Sequence, residues 1–166
     1  ARYVTMKHVI SALVENKSGV LAHISGLFSA RGFNIDSLAV GETEDPRFSR
    51  MTIVVEGDET ILEQVRKQLS SVIDVVKVDD FSNQRYVERD LMLMKVKAPP
   101  EQRSEILDLV RTFRGDAVDV GRKKMTLQLV GPEQKIEAFI QLMRPYGIDE
   151  VARTGRVALS RSSREK

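Results

Sequence analysis

The stretch Val9–Phe28 reads VISALVENKSGVLAHISGLF, and it predicts how the first half of the chain folds. Its first seven residues are mostly apolar, as expected of a buried strand, and the polar turn Asn16–Gly19 ends that strand. Apolar residues then recur at the spacing of one helix face, namely Val20, Leu21, Ile24, Leu27 and Phe28. Arg31 and Gly32 are typical of a helix C-terminus, because a cation suits the last carbonyls and glycine adopts a left-handed cap. The stretch therefore predicts a strand, a tight turn and an amphipathic helix.

The rest of the first half predicts three more strands and a second helix. The strands are predicted at Ile35–Val40, Met51–Val55 and Val72–Val78, the last of them rich in β-branched residues. A charged connection, Glu42–Arg50, joins the first two. The helix is indicated by four apolar residues at helical spacing, Ile61, Leu62, Val65 and Leu69. The order is βαββαβ, which is the ferredoxin-like arrangement.

The second half repeats this order. Strands are predicted at Leu91–Val96, Asp116–Val120, Met125–Val130 and Asp149–Leu159. Two helices are indicated by apolar faces, one with Ile106, Leu109, Val110 and Phe113 and one with Ile136, Phe139, Ile140 and Met143. The letters also repeat, since VEGDE at residues 55–59 is echoed by LVGPE at residues 129–133. In both places a strand ends in glycine and an acidic first turn opens a helix.

We therefore predict an α+β fold with two tandem ferredoxin-like βαββαβ domains. The first domain is expected over residues 1–83 and the second over residues 91–159. The polar segment Gln84–Asp90 is predicted to be a linker, and the basic tail Ser160–Lys166, which has no apolar anchor, is predicted to be disordered.

The predicted architecture favours association. A four-stranded sheet with both helices on one face leaves its other face bare, and each unit of about 75 residues is near the lower limit for an independent core. Edge strands also present unpaired backbone groups to a second chain. We therefore expect pairing of the units or dimerisation.

The composition excludes several classes of protein. No run of about 18 apolar residues is present, so we expect no membrane span, and the missing signal pattern favours the cytoplasm. With no cysteine among 166 residues, disulfides, thiolate metal sites and cysteine nucleophiles are excluded. Residues 84–166 carry a net charge of +5 and residues 1–83 carry −3. The second half thus either meets an acidic partner or presents a solvated basic surface.

The sequence carries no recognisable catalytic or metal motif. His8 and His23 are the only histidines, and neither has an acidic residue at a zinc-like spacing, so no metal site is predicted. The glycine-rich phosphate loops and the Gly-x-Ser-x-Gly turn of hydrolases are also missing. A Ser-His-acid triad built from distant residues stays open at this level, but we predict that the chain is not an enzyme.

RNA binding is the alternative function, because ferredoxin-like sheets also form RNA recognition motifs. Those motifs stack bases on aromatic residues of the central strands. Here the candidate central strands carry aliphatic residues instead, namely Ile53, Val55, Leu127 and Leu129. Phe81 and Tyr86 fall outside the predicted strands, so we expect no nucleic-acid partner.

The turn before the first helix has the chemistry to bind an aliphatic amino acid. The N-terminus of a helix presents unpaired N–H groups and attracts carboxylates, and Gly19 lets a ligand approach the backbone. Asn16 offers a donor and an acceptor, and Val20 and Leu21 offer apolar surface. Asparagine, serine and glycine are also ordinary cap and turn residues, so the residues alone leave open that Asn16 or Ser18 simply caps the helix.

Longer motifs carry a family resemblance. LVENKSGVL at residues 13–21 and GLFSARGFNIDSL at residues 26–38 resemble the ACT domain of acetohydroxyacid (acetolactate) synthase regulatory small subunits. EVARTGR at residues 150–156, followed by Ala158 and Leu159, resembles the end of that family's C-terminal domain. The resemblance covers nearly the whole chain.

The resemblance implies a non-catalytic subunit that binds valine or another branched-chain amino acid, activates a catalytic subunit and confers feedback inhibition on it. It implies an ACT domain over residues 1–83 that dimerises, with the effector held between two such domains. One subunit would contribute Asn16 and the Ser18–Leu21 backbone (Ser18, Gly19, Val20, Leu21), and its mate Asn34 and Ile35. It further implies that thiamine diphosphate, FAD and magnesium are bound by the catalytic subunit and that this chain binds no cofactor. Lys17 stands where the family often has acidic or small residues.

Overall fold

Each half of the chain forms a β-sheet packed against two helices, in a computed structural model that describes residues 6–162. The first half contains β1 (Met6–Glu15), α1 (Val20–Arg31), β2 (Asn34–Glu42), β3 (Phe48–Gly57), α2 (Glu59–Ser71) and β4 (Val75–Asp80). The second half contains β5 (Tyr86–Lys97), α3 (Pro100–Thr112), β6 (Asp116–Val120), β7 (Lys124–Gly131), α4 (Glu133–Met143), a 3-10 turn (Arg144–Tyr146), β8 (Ile148–Arg153) and β9 (Val157–Ser160).

The two sheets share one four-strand arrangement. The first has the strand order β2-β3-β1-β4. The second has five strands, with the order β6-β7-β5-β8 and with β9 also paired to β5. In each sheet the first strand of the half lies in the interior. The ladders within these sheets are antiparallel. The predicted pair of ferredoxin-like βαββαβ units is therefore confirmed. Residues up to Val87, together with the segment from Val157 onward, form one compact unit, and Glu88–Arg156 form the other.

The core of the first unit lies between its sheet and its two helices. One face of β1 and β3 contributes Ile10 and Ile53, and the helices contribute Ile24, Val65 and Leu69, all of which are buried. Fully burying one such side chain contributes about 1.5–3 kcal/mol. Asp58 caps α2, since its Oδ1 accepts a hydrogen bond of 3.0 Å from the Ile61 backbone N–H.

The core of the second unit uses flexible side chains. Met92 and Met94 of β5 are buried with Met125 of β7 against α3 and α4. The rings of Phe113 and Phe139 meet edge to face at 5.3 Å between centroids. Methionine adapts its shape to irregular gaps, so the second sheet keeps the fold of the first with a differently shaped interior.

The sequence led us to expect a bare outer face on the first sheet, but residues pack against that face in the structure. Val9 and Val54 on that face are buried in a cluster with Phe81 and Ala158, and Tyr86 packs against it. The rings of Phe81 and Tyr86 lie 5.2 Å apart. The first unit therefore has a second, smaller core, and Ala158 of β9 is part of it.

Three predicted boundaries differ from the structure. Most of the predicted linker Gln84–Asp90 is strand, because β5 begins at Tyr86, next to the Phe81 cluster. The predicted strand Asp149–Leu159 is split into β8 and β9, since Gly155 turns the chain with a φ of 82°. Ser160, predicted to start a disordered tail, ends β9, and the Arg161 N–H donates to the Arg85 carbonyl at 3.0 Å. Residues 163–166 of that tail lie outside the described residues.

Candidate functional site

Helix α1 begins without a side-chain cap. Gly19 precedes it with a φ of 88°, a left-handed conformation that glycine adopts without strain. No side chain among residues 6–162 caps this terminus, and no acidic residue lies in its first turn. The interpretation that Asn16 or Ser18 caps the helix is therefore wrong. A β-carbon added to Gly19 would meet no atom within 4 Å, so the space beside this residue is open at the start of α1.

Asn16 reaches across to the β2–β3 connection instead. Its backbone N–H donates to the Arg47 carbonyl at 2.8 Å. Its side-chain Nδ2 donates to the Pro46 carbonyl at 3.1 Å and to Glu42 Oε2 at 3.4 Å. The Pro46 carbonyl and the Glu42 carboxylate can only accept hydrogen bonds. The group of Asn16 that faces them is therefore Nδ2 and not Oδ1. The Oδ1 of Asn16 accepts no hydrogen bond from the described residues.

The β2–β3 connection is a braced turn. The Thr43 hydroxyl donates to the Asp45 and Phe48 carbonyls at 2.9 and 3.1 Å, and the Arg47 guanidinium contacts both Asp45 oxygens. Hydrogen bonding to Arg47 lowers the pKa of the Asp45 carboxyl. The same turn places the Pro46 carbonyl against Asn16, so Asn16 is held in one position.

Lys17 forms ion pairs with two carboxylates. Its ammonium is 2.5 Å from Glu15 Oε2 and 3.6 Å from Asp74 Oδ1. Hydrogen bonding to Glu15 raises the pKa of Lys17, and the charge of Asp74 adds to the effect. The charge of Lys17 is thus balanced by two carboxylates of β1 and the α2–β4 turn. Although Lys17 differs from the residues that are frequent at this position in the family, its ammonium is paired and is not a free cation beside Gly19.

Asn34 and Ile35 lie at the other end of the sheet. Asn34 pairs with Glu56 across β2 and β3, whereas Glu15 pairs with Phe48 where β1 ends. At about 3.3 Å per strand residue, Asn34 and Asn16 are separated by about 30 Å within one chain. Asn34 Nδ2 donates to Glu56 Oε2 at 2.8 Å, and Ile35 packs half-buried against the core.

The seven predicted site residues therefore form two groups. Asn16, Ser18, Gly19, Val20 and Leu21 lie together around the start of α1, with Val20 buried and Leu21 exposed. Asn34 and Ile35 lie on β2, and that strand is an edge of the sheet. A single chain does not bring the two groups together.

Sequence reasoning missed Glu42 and Pro46. Both contact Asn16, although they follow it by 26 and 30 residues. The available signal was the charged connection after the third predicted element, which had been assigned no role in the site. Its position beside Asn16 depends on the register of β2 with β3.

The two histidines lie in different surroundings. His8 is buried, with Nε2 3.1 Å from the Gly57 carbonyl and Nδ1 3.4 Å from Ser82 Oγ, and His23 is exposed. Within residues 6–162, no group of three or more metal-ligating side chains is close enough to hold an ion. No helix in that range has the length and apolarity needed to cross a membrane.

Burial of Phe81 bears on the alternative of RNA binding. Phe81, one of the two aromatic candidates, is buried under Tyr86 in the small outer core. The exposed ring surface that base stacking needs is therefore lacking at Phe81.

Comparison with known proteins places both halves in one family. Residues 10–77 match the family described as the AHAS small subunit-like ACT domain, and residues 89–162 match the small subunit of acetolactate synthase. The chain is 54% identical over 160 residues to a probable acetolactate synthase small subunit of Archaeoglobus fulgidus, covering 96% of this chain and 100% of that protein. It is 47% identical over 163 residues to the acetolactate synthase small subunit of Bacillus subtilis, covering 97% and 94%.

A solved structure agrees with these matches. The crystal structure of the acetolactate synthase small subunit from Thermotoga maritima superposes with a TM-score of 0.86 at 42% identity. The superposition covers 94% of this chain and 98% of that one.

Proposed function

The chain belongs to the acetolactate synthase small-subunit family, and on that premise we propose that it binds valine, or another branched-chain amino acid, as a feedback effector. Members of this family are non-catalytic regulatory subunits that work with a separate catalytic subunit. We further propose that this subunit acts in the cytoplasm, activates its catalytic partner, and passes the effector signal to it.

The observation that carries the proposal is the uncapped start of α1 next to Asn16. Open N–H groups at a helix N-terminus attract a carboxylate, and the free Oδ1 of Asn16 accepts a hydrogen bond from an ammonium group. Leu21 is 45% exposed and offers apolar surface to an aliphatic side chain. A branched-chain amino acid combines these three groups in one small molecule.

The sheet edge suggests how Asn34 joins the site. If β2 pairs antiparallel with β2 of a second copy, with the two-fold axis at Leu38, Asn34 of one chain falls opposite Glu42 of the other. Glu42 is hydrogen-bonded to Asn16, so Asn34 of the partner subunit would arrive beside Asn16. This symmetric pairing would cover two edges and build two equal sites.

Regulation then follows from differential binding. An effector shifts the catalytic subunit only if the liganded and free dimers differ in how well they stabilise its less active state, typically by about 1–3 kcal/mol. The thiamine diphosphate, FAD and magnesium of the reaction would be held by the catalytic subunit. This chain would supply the sensor and not the chemistry.

The test is a calorimetric titration of the purified chain with valine, leucine, isoleucine and lysine. We expect saturable binding of at least one branched-chain amino acid and none of lysine. We also expect no acetolactate formation from pyruvate by the chain alone when all three cofactors are supplied. Binding of none of the branched-chain amino acids would contradict the proposed effector, and activity of the purified chain would contradict the regulatory role.

A further inference from the structure

Glu42 is an unneutralised carboxylate at the edge of the candidate site. It is the last residue of β2 and is exposed, and its Oε2 lies 3.4 Å from Asn16 Nδ2. None of the described basic side chains forms an ion pair with it. Arg47 is bound to Asp45, Lys17 to Glu15 and Asp74, and Arg50 to the Ser11 hydroxyl.

The orientation of Asn16 completes this arrangement. Its Nδ2 is committed to two acceptors, Pro46 and Glu42, so the amide cannot also donate to the carboxylate of a ligand. What remains is Oδ1, an acceptor, next to the acceptor oxygens of Glu42. An ammonium group is a donor of three hydrogen bonds and accepts none, so it is the part of an amino acid that matches these oxygens.

We infer that Glu42 recognises the ammonium group of the effector and makes the site selective for amino acids over amine-free acids of the same shape. This inference rests on the proposed function. The α1 terminus provides the positive end of the site and Glu42 the negative end, so the two ends match the two charges of a zwitterion.

The arrangement discriminates between chemically related acids. A 2-oxo acid with a branched chain, or acetolactate itself, has a carboxylate and no ammonium. Its carboxylate is attracted by the helix terminus, but nothing in it compensates the negative charge of Glu42. The carboxylate of the oxo acid would instead meet a like charge nearby, and like-charge juxtaposition disfavours binding. The subunit would therefore respond to the amino acid and ignore the oxo acid.

The experiment uses the full chain and two ligands, valine and 3-methyl-2-oxobutanoate, its amine-free counterpart. The variant is Glu42→Gln, which keeps an acceptor oxygen for Asn16 and removes the charge. The matched control is Glu44→Gln, which removes an exposed carboxylate two residues along the same connection. A third variant, Glu42→Asp, keeps the charge and withdraws it by one methylene group.

We expect the parent chain and Glu44→Gln to bind valine equally and to bind the oxo acid at least tenfold more weakly. Glu42→Gln should lose about ten- to a hundredfold in valine affinity, the usual effect of losing a hydrogen bond to a charged group, and should no longer prefer valine over the oxo acid. Glu42→Asp should fall between the two and keep the preference.

Two contrary results are distinguishable. If Glu42→Gln binds valine as the parent does, or if Glu44→Gln loses as much, the ammonium is recognised elsewhere, and the inference fails while the effector site stands. If the parent chain binds no branched-chain amino acid, the proposed function fails and this inference fails with it.

Discussion

Gly19 has two properties that make it a sensitive position, its left-handed backbone and the open space around it. We predict that Gly19→Asp abolishes valine binding, because the new carboxylate occupies the place of the effector carboxylate and opposes the helix terminus. Gly19→Asn is the matched control, since asparagine tolerates the left-handed region about as well as aspartate but carries no charge. Calorimetric titration should give weakened binding for Asn and none for Asp. Equal binding by both variants would place the carboxylate elsewhere.

Leu38 is the residue on which a symmetric β2–β2 pairing would be centred. It is 37% exposed on an edge strand. Leu38→Lys should prevent the proposed dimer from forming, because the two-fold axis would bring two like charges directly opposite each other. The control is Val76→Lys, on β4 at the opposite edge of the same sheet and 55% exposed. This variant should have the same molecular mass in solution as the parent protein. Sedimentation equilibrium at micromolar concentration measures both, and a dimer of Leu38→Lys would rule out this pairing.

At the scale of elements, the strand, turn and helix around Asn16 could be predicted because their signals are local. Apolar periodicity and the Gly19 turn lie within one stretch of sequence. The start of β5 could not be predicted, since Tyr86–Asp90 is polar and becomes strand through contacts with residues far away in sequence. The role of Glu42 could not be predicted for the same reason, because only the register of β2 with β3 brings this residue to Asn16. The family resemblance pointed to Asn34, which local patterns would have assigned to a turn.

The segment between β8 and β9 is held by ion pairs that the sequence did not suggest. Arg156 is 6% exposed and contacts Glu88 and Glu133 at 3.1 and 2.7 Å, and Arg153 contacts the buried Asp90 at 2.7 Å. Arg156 is buried, whereas the side chains of Glu88 and Glu133 stay partly exposed. We predict that Arg156→Met lowers the free energy of unfolding by about 1–3 kcal/mol, the usual cost of losing hydrogen bonds between charged groups, whereas Arg111→Met, at an exposed i,i+3 pair with Asp108, changes it by less than about 1 kcal/mol. Urea unfolding distinguishes the two, and equal effects would show that burial of Arg156 is unimportant.

At the scale of the whole assembly, a site shared between two chains makes a specific prediction. Asn16→Ala and Asn34→Ala should each weaken valine binding by about 1–3 kcal/mol in a homodimer. A mixed dimer of the two variants would combine both lost residues in one site and restore the other site completely. After the two are unfolded and refolded together, titration should show about one high-affinity site per mixed dimer. No recovery would mean that Asn16 and Asn34 do not act across an interface.

Ala158 ties the end of the described chain to the first unit. It is 4% exposed among Val9, Val54 and Phe81, so Ala158→Glu would bury a charge without a partner. We predict a loss of about 2–4 kcal/mol in the free energy of unfolding. Leu159→Glu, one residue later and 60% exposed, should be nearly neutral. Circular dichroism during urea titration measures both, and a neutral Ala158→Glu would show that β9 is dispensable for stability.

The place of Ala158 also has a consequence during translation. The first unit takes its last strand from beyond residue 156, so it is not finished when its βαββαβ portion leaves the ribosome. Synthesis at about 5–20 residues per second delays β9 by roughly 4–14 s relative to Val87. Throughout that interval the cluster of Val9, Val54 and Phe81 lacks Ala158, so part of its apolar surface is still uncovered. A chaperone that binds nascent apolar strands would have this window in which to act, and the window closes when β9 emerges.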